Sequence, residues 1–112
     1  MDIEANEYVR TNGGCIGIFQ KYEEEGISQW FTMLQNGTLY TTATKAIVKH
    51  SKNIIDLIEV GDYVNGKYVK EINQYKDGKS IIALIGIIDE KNIKTILTHE
   101  QYNANCYKIE QK

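Results

Sequence analysis

The stretch that decides the fold runs from Ile47 to Ile72 and reads IVKHSKNIIDLIEVGDYVNGKYVKEI. Its second half places Gly61 and Asp62 ahead of an Asn65-Gly66 pair that separates two alternating segments, which predicts a β-hairpin. Gly61 permits a sharp bend, and the Asp62 side chain can bond nearby backbone groups at the corner. The first half predicts one irregular or helical turn over residues 51–58, capped by Ser51 or Asn53. Its apolar side chains would plug a core, and they are Ile54, Ile55, Leu57 and Ile58.

Strand signals recur at short spacing on both sides of this stretch. Turns at residues 12–14 and 36–37 predict two hairpins, the second formed by residues 28–35 and 38–42. The apolar run from Ser80 to Ile88 predicts a single central strand that is buried on both faces. We further expect strands at residues 93–97 and 107–109, and a short helix that begins in the capping box Thr98-His99-Glu100-Gln101. The pattern predicts an all-β domain with one or two helical turns.

Among all-β architectures, a small, strongly bent barrel or roll of the Src-homology-3 kind fits the Gly61 corner best. A two-sheet sandwich is the second expectation. The length of 112 residues predicts one domain over residues 1–112, in which residues 1–44 vary and residues 45–112 carry the distinctive motif.

Composition and charge exclude several classes of protein. The net charge of −2, with acids and bases interspersed, lacks the basic footprint of a typical duplex-binding protein. The longest apolar run is too short to span a bilayer, and the acidic start MDIEANEY contains no apolar signal segment. We therefore expect a cytoplasmic protein without a membrane partner, in which Cys15 and Cys106 are free thiols.

The motif-bearing half resembles a group of uncharacterised small proteins encoded by phages and prophages of Firmicutes. The resemblance rests on VKHSKNIIDLIEVGDYVNG, followed by KYVKEI, and on the closing pattern IKTILTHEQY with Tyr107-Lys108-Ile109 after it. It covers roughly half of the chain, from Ile47 onward. It implies an accessory phage protein that acts on the host, for example as an inhibitor of a defence nuclease, and it carries over no catalytic residues.

Sites for catalysis or metal binding are weak in the sequence. Zinc ligand types occur at Cys15, His50, His99 and Cys106, but no two have the close spacing of a strong zinc motif. Neither cysteine lies in a glycine-rich loop that could stabilise an oxyanion. We therefore predict no enzyme activity, no cofactor and no metal site.

The aromatic residues favour a binding function instead. Since side chains alternate along a strand, Trp30 and Phe31 cannot both be buried on one face. We predict a partner-binding surface in the variable half, formed by Glu23, Glu24, Glu25, Trp30, Phe31 and Tyr40. Its acidic loop would imitate phosphates or enter a basic groove on a host protein or ribonucleoprotein.

Three alternatives remain open at this level. A modest basic stripe at Lys45, Lys49 and Lys52 could contact nucleic acid. A sponge for a nucleotide signal would need a polar pocket. The chain has more aromatic residues than one small core needs. Together with exposed strand edges, they would also allow a homodimer.

Overall fold

The computed structural model describes residues 3–24, 27–75, 78–83 and 86–106. The predicted fold class is confirmed, because the described chain is mostly antiparallel β-sheet with one short α-helix. It forms two compact units, residues 1–58 and residues 59–112, and each contains one five-stranded sheet. The Src-homology-3-like barrel stays a prediction, as does the single domain.

The first unit is a sheet with the strand order β4-β3-β2-β1-β5. Its strands are β1 (Tyr8–Thr11), β2 (Ile16–Glu24), β3 (Ile27–Gln35), β4 (Thr38–Ala43) and β5 (Ile47–Ser51). Both hairpins expected in this half are confirmed, since β1 pairs with β2 and β3 pairs with β4 in antiparallel register. Local turn chemistry was sufficient to predict them.

One face of this sheet carries the core of the first unit. Val9, Phe19, Phe31 and Met33 are buried there, and the rings of Phe19 and Phe31 stack with their centroids 5.6 Å apart. The register explains the cluster, because Phe19 lies opposite Met33 and Val9 lies opposite Gly17. Directly opposite residues of an antiparallel pair project to the same face, so their apolar surface leaves water together.

Two short 3-10 turns flank β5, at Thr44–Ala46 and Ile54–Leu57. The second is the helical turn expected near residues 51–58, and it buries Ile55 and Leu57. Asn53 is its N-cap residue without a side-chain cap bond, whereas the Ser51 hydroxyl accepts a hydrogen bond from the Asn53 N–H at 3.0 Å. The Leu57 carbonyl accepts a 2.9 Å hydrogen bond from Nη1 of Arg10, whose side chain is fully buried.

The second unit has the strand order β10-β6-β7-β8-β9. Its elements are β6 (Tyr63–Val64), β7 (Lys67–Tyr75), β8 (Gly78–Ala83), β9 (Ile87–Ile88), a 3-10 turn (Glu90–Asn92), β10 (Ile96–Leu97) and α1 (His99–Asn105). The predicted helix is confirmed, and the Thr98 hydroxyl caps it by accepting a hydrogen bond from the Gln101 N–H. The strand expected at residues 107–109 lies outside the described residues.

The hairpin at Asn65-Gly66 is also confirmed, although β6 is shorter than the sequence suggests. Both turn residues have positive φ, 54° and 79°, as a two-residue hairpin of this hand requires. The Asn65 side chain adds a tertiary role, because its Oδ1 accepts hydrogen bonds from the N–H groups of Lys94 and Thr95. This places β10 beside β6, where Ile96 lies opposite Val64.

The prediction of one continuous strand from Ser80 to Ile88 is wrong. The run folds back on itself, so that Ile81 of β8 lies opposite Ile88 of β9 and Ile82 lies opposite Ile87. Gly86 adopts a φ of 88°, a conformation that glycine tolerates and that lets the chain reverse. Apolar content alone did not reveal the reversal, because an uninterrupted aliphatic run fits one long strand as well as two short ones.

Candidate functional site

The predicted aromatic surface is only partly exposed. Trp30 and Tyr40 each retain 49% of their surface area, whereas Phe31 is fully buried. The expectation that one residue of the Trp30-Phe31 pair faces outward is therefore confirmed. Phe31 as a partner-binding residue is wrong, because its ring belongs to the core beside Phe19.

The two exposed aromatic residues lie on opposite faces of the first sheet. Trp30 pairs with Ala43, and Tyr40 pairs with Met33 on the core face. Since alternate residues share a face, Leu39 of β4 projects to the same side as Trp30, and it is 62% exposed. The structure thus places Tyr40 and Trp30 on different faces, and it puts an exposed apolar residue, Leu39, on the same face as Trp30.

Strand β4 is an edge of the first sheet, and it pairs only with β3 among the described strands. Its residues, TLYTTA, include no charge and no proline, and the first four are exposed. Charges, prolines and bulges are the usual protection of an edge strand against pairing with another chain. We refer to Thr38–Ala43 as the β4 edge.

The acidic loop is described only at its start. Glu23 is exposed, and its Oε1 accepts a hydrogen bond from the Thr32 hydroxyl on the neighbouring strand. The side chain of Glu24 and all of Glu25 lie outside the described residues. A role for the three acids in binding stays a prediction.

The basic stripe is partly neutralised within the first unit. Lys52 Nζ forms an ion pair with Glu4 Oε2 at 2.9 Å, and that hydrogen bond raises the pKa of the lysine. Lys49 is half-buried, while Lys45 is exposed. One of the three predicted positive charges is therefore paired with a carboxylate, although the Lys52 side chain is 71% exposed.

The contact of His50 in the first unit was not predicted from the sequence. Nδ1 of His50 lies 3.0 Å from Oε1 of Glu7, whose side chain is largely buried. Oε2 of Glu7 accepts a 2.6 Å hydrogen bond from the Glu4 N–H. The hydrogen bond from His50, followed by that from Glu4, lowers the pKa of the Glu7 carboxyl below its usual value of 4.5.

In the second unit, three side chains of types that can ligate a metal converge near the start of helix α1. Nε2 of His99 lies 3.0 Å from Oε1 of Glu59 and 2.8 Å from Oε1 of Glu100. The ligand atoms of all three residues lie within 4.8 Å of one another, and the side chains are 23–38% exposed. We call these residues, Glu59, His99 and Glu100, the His99 cluster.

The buried carboxylate of Asp62 accepts hydrogen bonds from the backbone of two residues of the His99 cluster. Its Oδ2 accepts a hydrogen bond from the Glu59 N–H at 2.8 Å, and its Oδ1 accepts one from the His99 N–H at 2.9 Å. Asp62 has no exposed surface. It therefore fixes the backbone of two cluster residues that are 40 positions apart in sequence.

In the sequence, His99 was considered as a zinc ligand together with His50 and the two cysteines, whereas the structure places it beside two glutamates. Cys15 and Cys106 are half-buried and are not joined in a disulfide, and neither belongs to the cluster found among the described residues. Neither Glu59 nor Glu100 was singled out in the sequence. Glu100 is adjacent to His99 in the capping box, which was the one available signal, whereas Glu59 comes close only through the fold.

A shallow apolar pocket of about 310 Å³ lies in the same unit, lined by Tyr63, Gly66, Thr95, Ile96, Leu97 and Tyr102. The rings of Tyr63 and Tyr102 stack with centroids 5.0 Å apart, and Tyr68 meets Tyr63 edge-on. Hydrogen bonds with Cys106 and then with Tyr63 raise the pKa of the Tyr102 phenol. The ring contacts explain part of the surplus of tyrosines as mutual packing.

Comparisons with protein-family models, with curated proteins and with solved structures returned no match. Among the described residues, no helix is both long and apolar enough to cross a membrane.

Proposed function

We propose that this protein acts by stoichiometric binding to another protein and that the β4 edge is its principal contact. The observation that carries the proposal is an uncharged edge strand, exposed from Thr38 to Thr41, whose apolar neighbour Trp30 projects on the same side as Leu39. An extended segment of a partner can add to such an edge through main-chain hydrogen bonds.

Specificity would come from the side chains on either side of the edge. Trp30 and Leu39 offer apolar contact on one face, and Tyr40 offers an aromatic ring with a hydroxyl on the other. Large aromatic residues are the side chains that most often dominate the energy of protein interfaces. A partner strand would therefore alternate apolar residues towards Trp30 with residues that can pack on Tyr40.

The charge distribution supports a protein partner over nucleic acid. The chain has a net charge of −2, and one of the three lysines in the basic stripe is paired with Glu4. Nucleic-acid affinity depends on several unpaired cations that release counterions from phosphates. The partner surface we propose is neutral to basic, which also suits the exposed Glu23 at the end of β2.

The particular partner we propose is a host antiphage defence nuclease in the cytoplasm of the infected or lysogenic cell. This proposal rests on the resemblance of the Ile47–Ile72 stretch and the closing pattern to proteins of phages and prophages of Firmicutes. The protein would inhibit as a bound accessory protein without chemistry of its own.

The test compares edge variants in capture and inhibition. Tagged wild-type protein, Leu39→Lys and Val48→Lys are used to capture purified CRISPR-associated nucleases of a Firmicutes host, and DNA cleavage is measured at increasing molar ratios. Val48 is the matched control because it is 53% exposed on β5, the opposite edge of the same sheet.

We expect wild-type protein and Val48→Lys to inhibit cleavage at a ratio near one to one, and Leu39→Lys to weaken binding by about 10-fold or more. Equal inhibition by the two lysine variants would reject the β4 edge. A lack of inhibition by the wild-type protein across the nucleases tested would reject the proposed partner class.

A further inference from the structure

We propose that the His99 cluster is a binding site for a divalent transition-metal ion, and that Zn²⁺ is the ion it binds most tightly. The protein ligands are Nε2 of His99 and one carboxylate oxygen each from Glu59 and Glu100. The site is independent of the β4 edge, since it lies entirely in the second unit.

The separations of the ligand atoms suit a small cation. In a zinc site, metal–nitrogen and metal–oxygen distances of about 2.0–2.2 Å place tetrahedral ligands slightly more than 3 Å apart. Nε2 of His99 already lies 3.0 Å and 2.8 Å from the two carboxylate oxygens. These two contacts are slightly shorter than tetrahedral ligand separations, and the three ligand atoms all lie within 4.8 Å of one another.

The same geometry also fits an ion pair in which one protonated imidazole contacts two carboxylates. A single Nε2–H cannot point directly at both oxygens, whereas a cation among the three atoms accepts a lone pair from each. The backbone is also held in place, because Asp62 bonds the N–H groups of both Glu59 and His99. These two hydrogen bonds hold the backbone positions from which two of the three ligand side chains extend.

The ligand types select the class of metal. An imidazole nitrogen favours zinc and other transition metals over magnesium and calcium, which prefer oxygen ligands alone. Three protein ligands with partly exposed side chains leave a fourth position for water or for a group supplied by a partner. The open position distinguishes this arrangement from a closed structural zinc site.

The experiment is a calorimetric titration of the full chain with zinc chloride, in a Cys15→Ser/Cys106→Ser background that removes thiolate ligands. The variants are His99→Gln, Glu59→Gln and Glu100→Gln, which preserve side-chain size at partly exposed positions. His50→Gln is the matched control, because Nδ1 of His50 contacts the carboxylate of Glu7. Circular dichroism checks that each variant retains the β-sheet signal.

We expect one zinc ion per chain, an affinity about 10-fold or more lower in each cluster variant, and unchanged binding in His50→Gln. Magnesium chloride, in a parallel titration, should bind far more weakly than zinc. A long-range ¹H–¹⁵N spectrum should show zinc-dependent shifts at Nε2 of His99, which a purely structural imidazole would not give.

Three results would overturn the proposal. They are an absence of zinc binding in the thiol-free protein, equal affinity in His99→Gln and the parent, and equal binding of magnesium and zinc. Loss of binding on removal of the cysteines alone would assign the metal to the thiols, and it would also reject the His99 cluster.

Discussion

Asp62 and His99 are joined by a hydrogen bond of 2.9 Å from the His99 N–H to the buried carboxylate of Asp62. The other oxygen of that carboxylate accepts the Glu59 N–H, three residues earlier. One side chain thus satisfies backbone donors from two distant parts of the chain. It connects the Gly61 corner to the first turn of helix α1, where the His99 cluster lies.

The replacement Asp62→Ala should lower the free energy of unfolding by about 2–5 kcal/mol, because it leaves two backbone N–H groups without this acceptor. Urea unfolding followed by circular dichroism measures the change. The control is Asp89→Ala, since Asp89 is exposed and its side chain makes no cap bond to the following 3-10 turn. We expect a change of about 0.5 kcal/mol or less there, and similar losses in both variants would contradict the role of Asp62.

Gly17→Ala should destabilise the first unit by about 1–3 kcal/mol, as overpacking in a close-packed sheet does. A methyl group at this position would approach Met33 Sδ to 2.9 Å and the Leu34 carbonyl oxygen to 3.0 Å, and the backbone oxygen has little freedom to move. At Gly13 the same methyl group would meet only Thr11 Oγ1, at 4.0 Å. Thermal unfolding of Gly17→Ala and Gly13→Ala should therefore differ clearly, and a stable Gly17→Ala would mean that β2 and β3 are less closely packed.

Phe31→Ala and Trp30→Ala separate stability from binding at adjacent positions. The fully buried Phe31 should cost about 3–5 kcal/mol on truncation, whereas the half-exposed Trp30 should cost about 1 kcal/mol or less. Denaturant midpoints give both values. In the capture assay, Trp30→Ala should weaken partner binding while it stays folded, and a large loss of stability in Trp30→Ala would instead place that ring in the core.

Glu7→Gln should reduce stability at neutral pH by about 1–2 kcal/mol, since it weakens a charge-assisted hydrogen bond. The pKa of Glu7 is lowered in the folded protein, chiefly by the hydrogen bond with His50. The carboxylate therefore stabilises the fold above its unfolded pKa of about 4.5, and this contribution is lost as the pH falls through the lower folded pKa.

The stability difference between wild-type protein and Glu7→Gln should accordingly be largest near neutral pH and should vanish in acid. Unfolding titrations between about pH 7 and pH 3 measure it. Glu71→Gln, at an exposed position of β7, is the comparison for the loss of one carboxylate charge from the protein. A gap between wild-type protein and Glu7→Gln that does not depend on pH would show that the charge of Glu7 is not responsible.

Local chemistry was enough to predict much of the fold. Asn65 and Gly66 specify a hairpin because the turn requires positive φ at two successive positions. Thr98 and Gln101 specify a helix start through a hydrogen bond between residues three positions apart. In both cases the interacting groups are sequence neighbours. The all-β class followed from many such signals at short spacing.

The run from Ser80 to Ile88 shows where local patterns fail. Every residue in it is compatible with a buried strand, so neither periodicity nor propensity fixes the point of reversal. The pairing of Ile81 with Ile88 depends on which surfaces the rest of the unit leaves to be covered. The sequence predicted burial, which holds for Ile81 and Ile88 but not for Ile87, which is 66% exposed, and it did not predict two strands.

The sequence by itself determined the hairpin turns, the helix cap, the β-rich class and the alternation that turns Trp30 away from Phe31, because each depends on contacts within a few residues. Only the tertiary structure decided that Trp30 shares a face with Leu39 and that Tyr40 does not, since strand register sets which residues are neighbours. It also decided that Glu59 lies 3.0 Å from His99, across 40 residues of chain. A distance of that kind results from the packing of the whole unit, which no short stretch of sequence encodes.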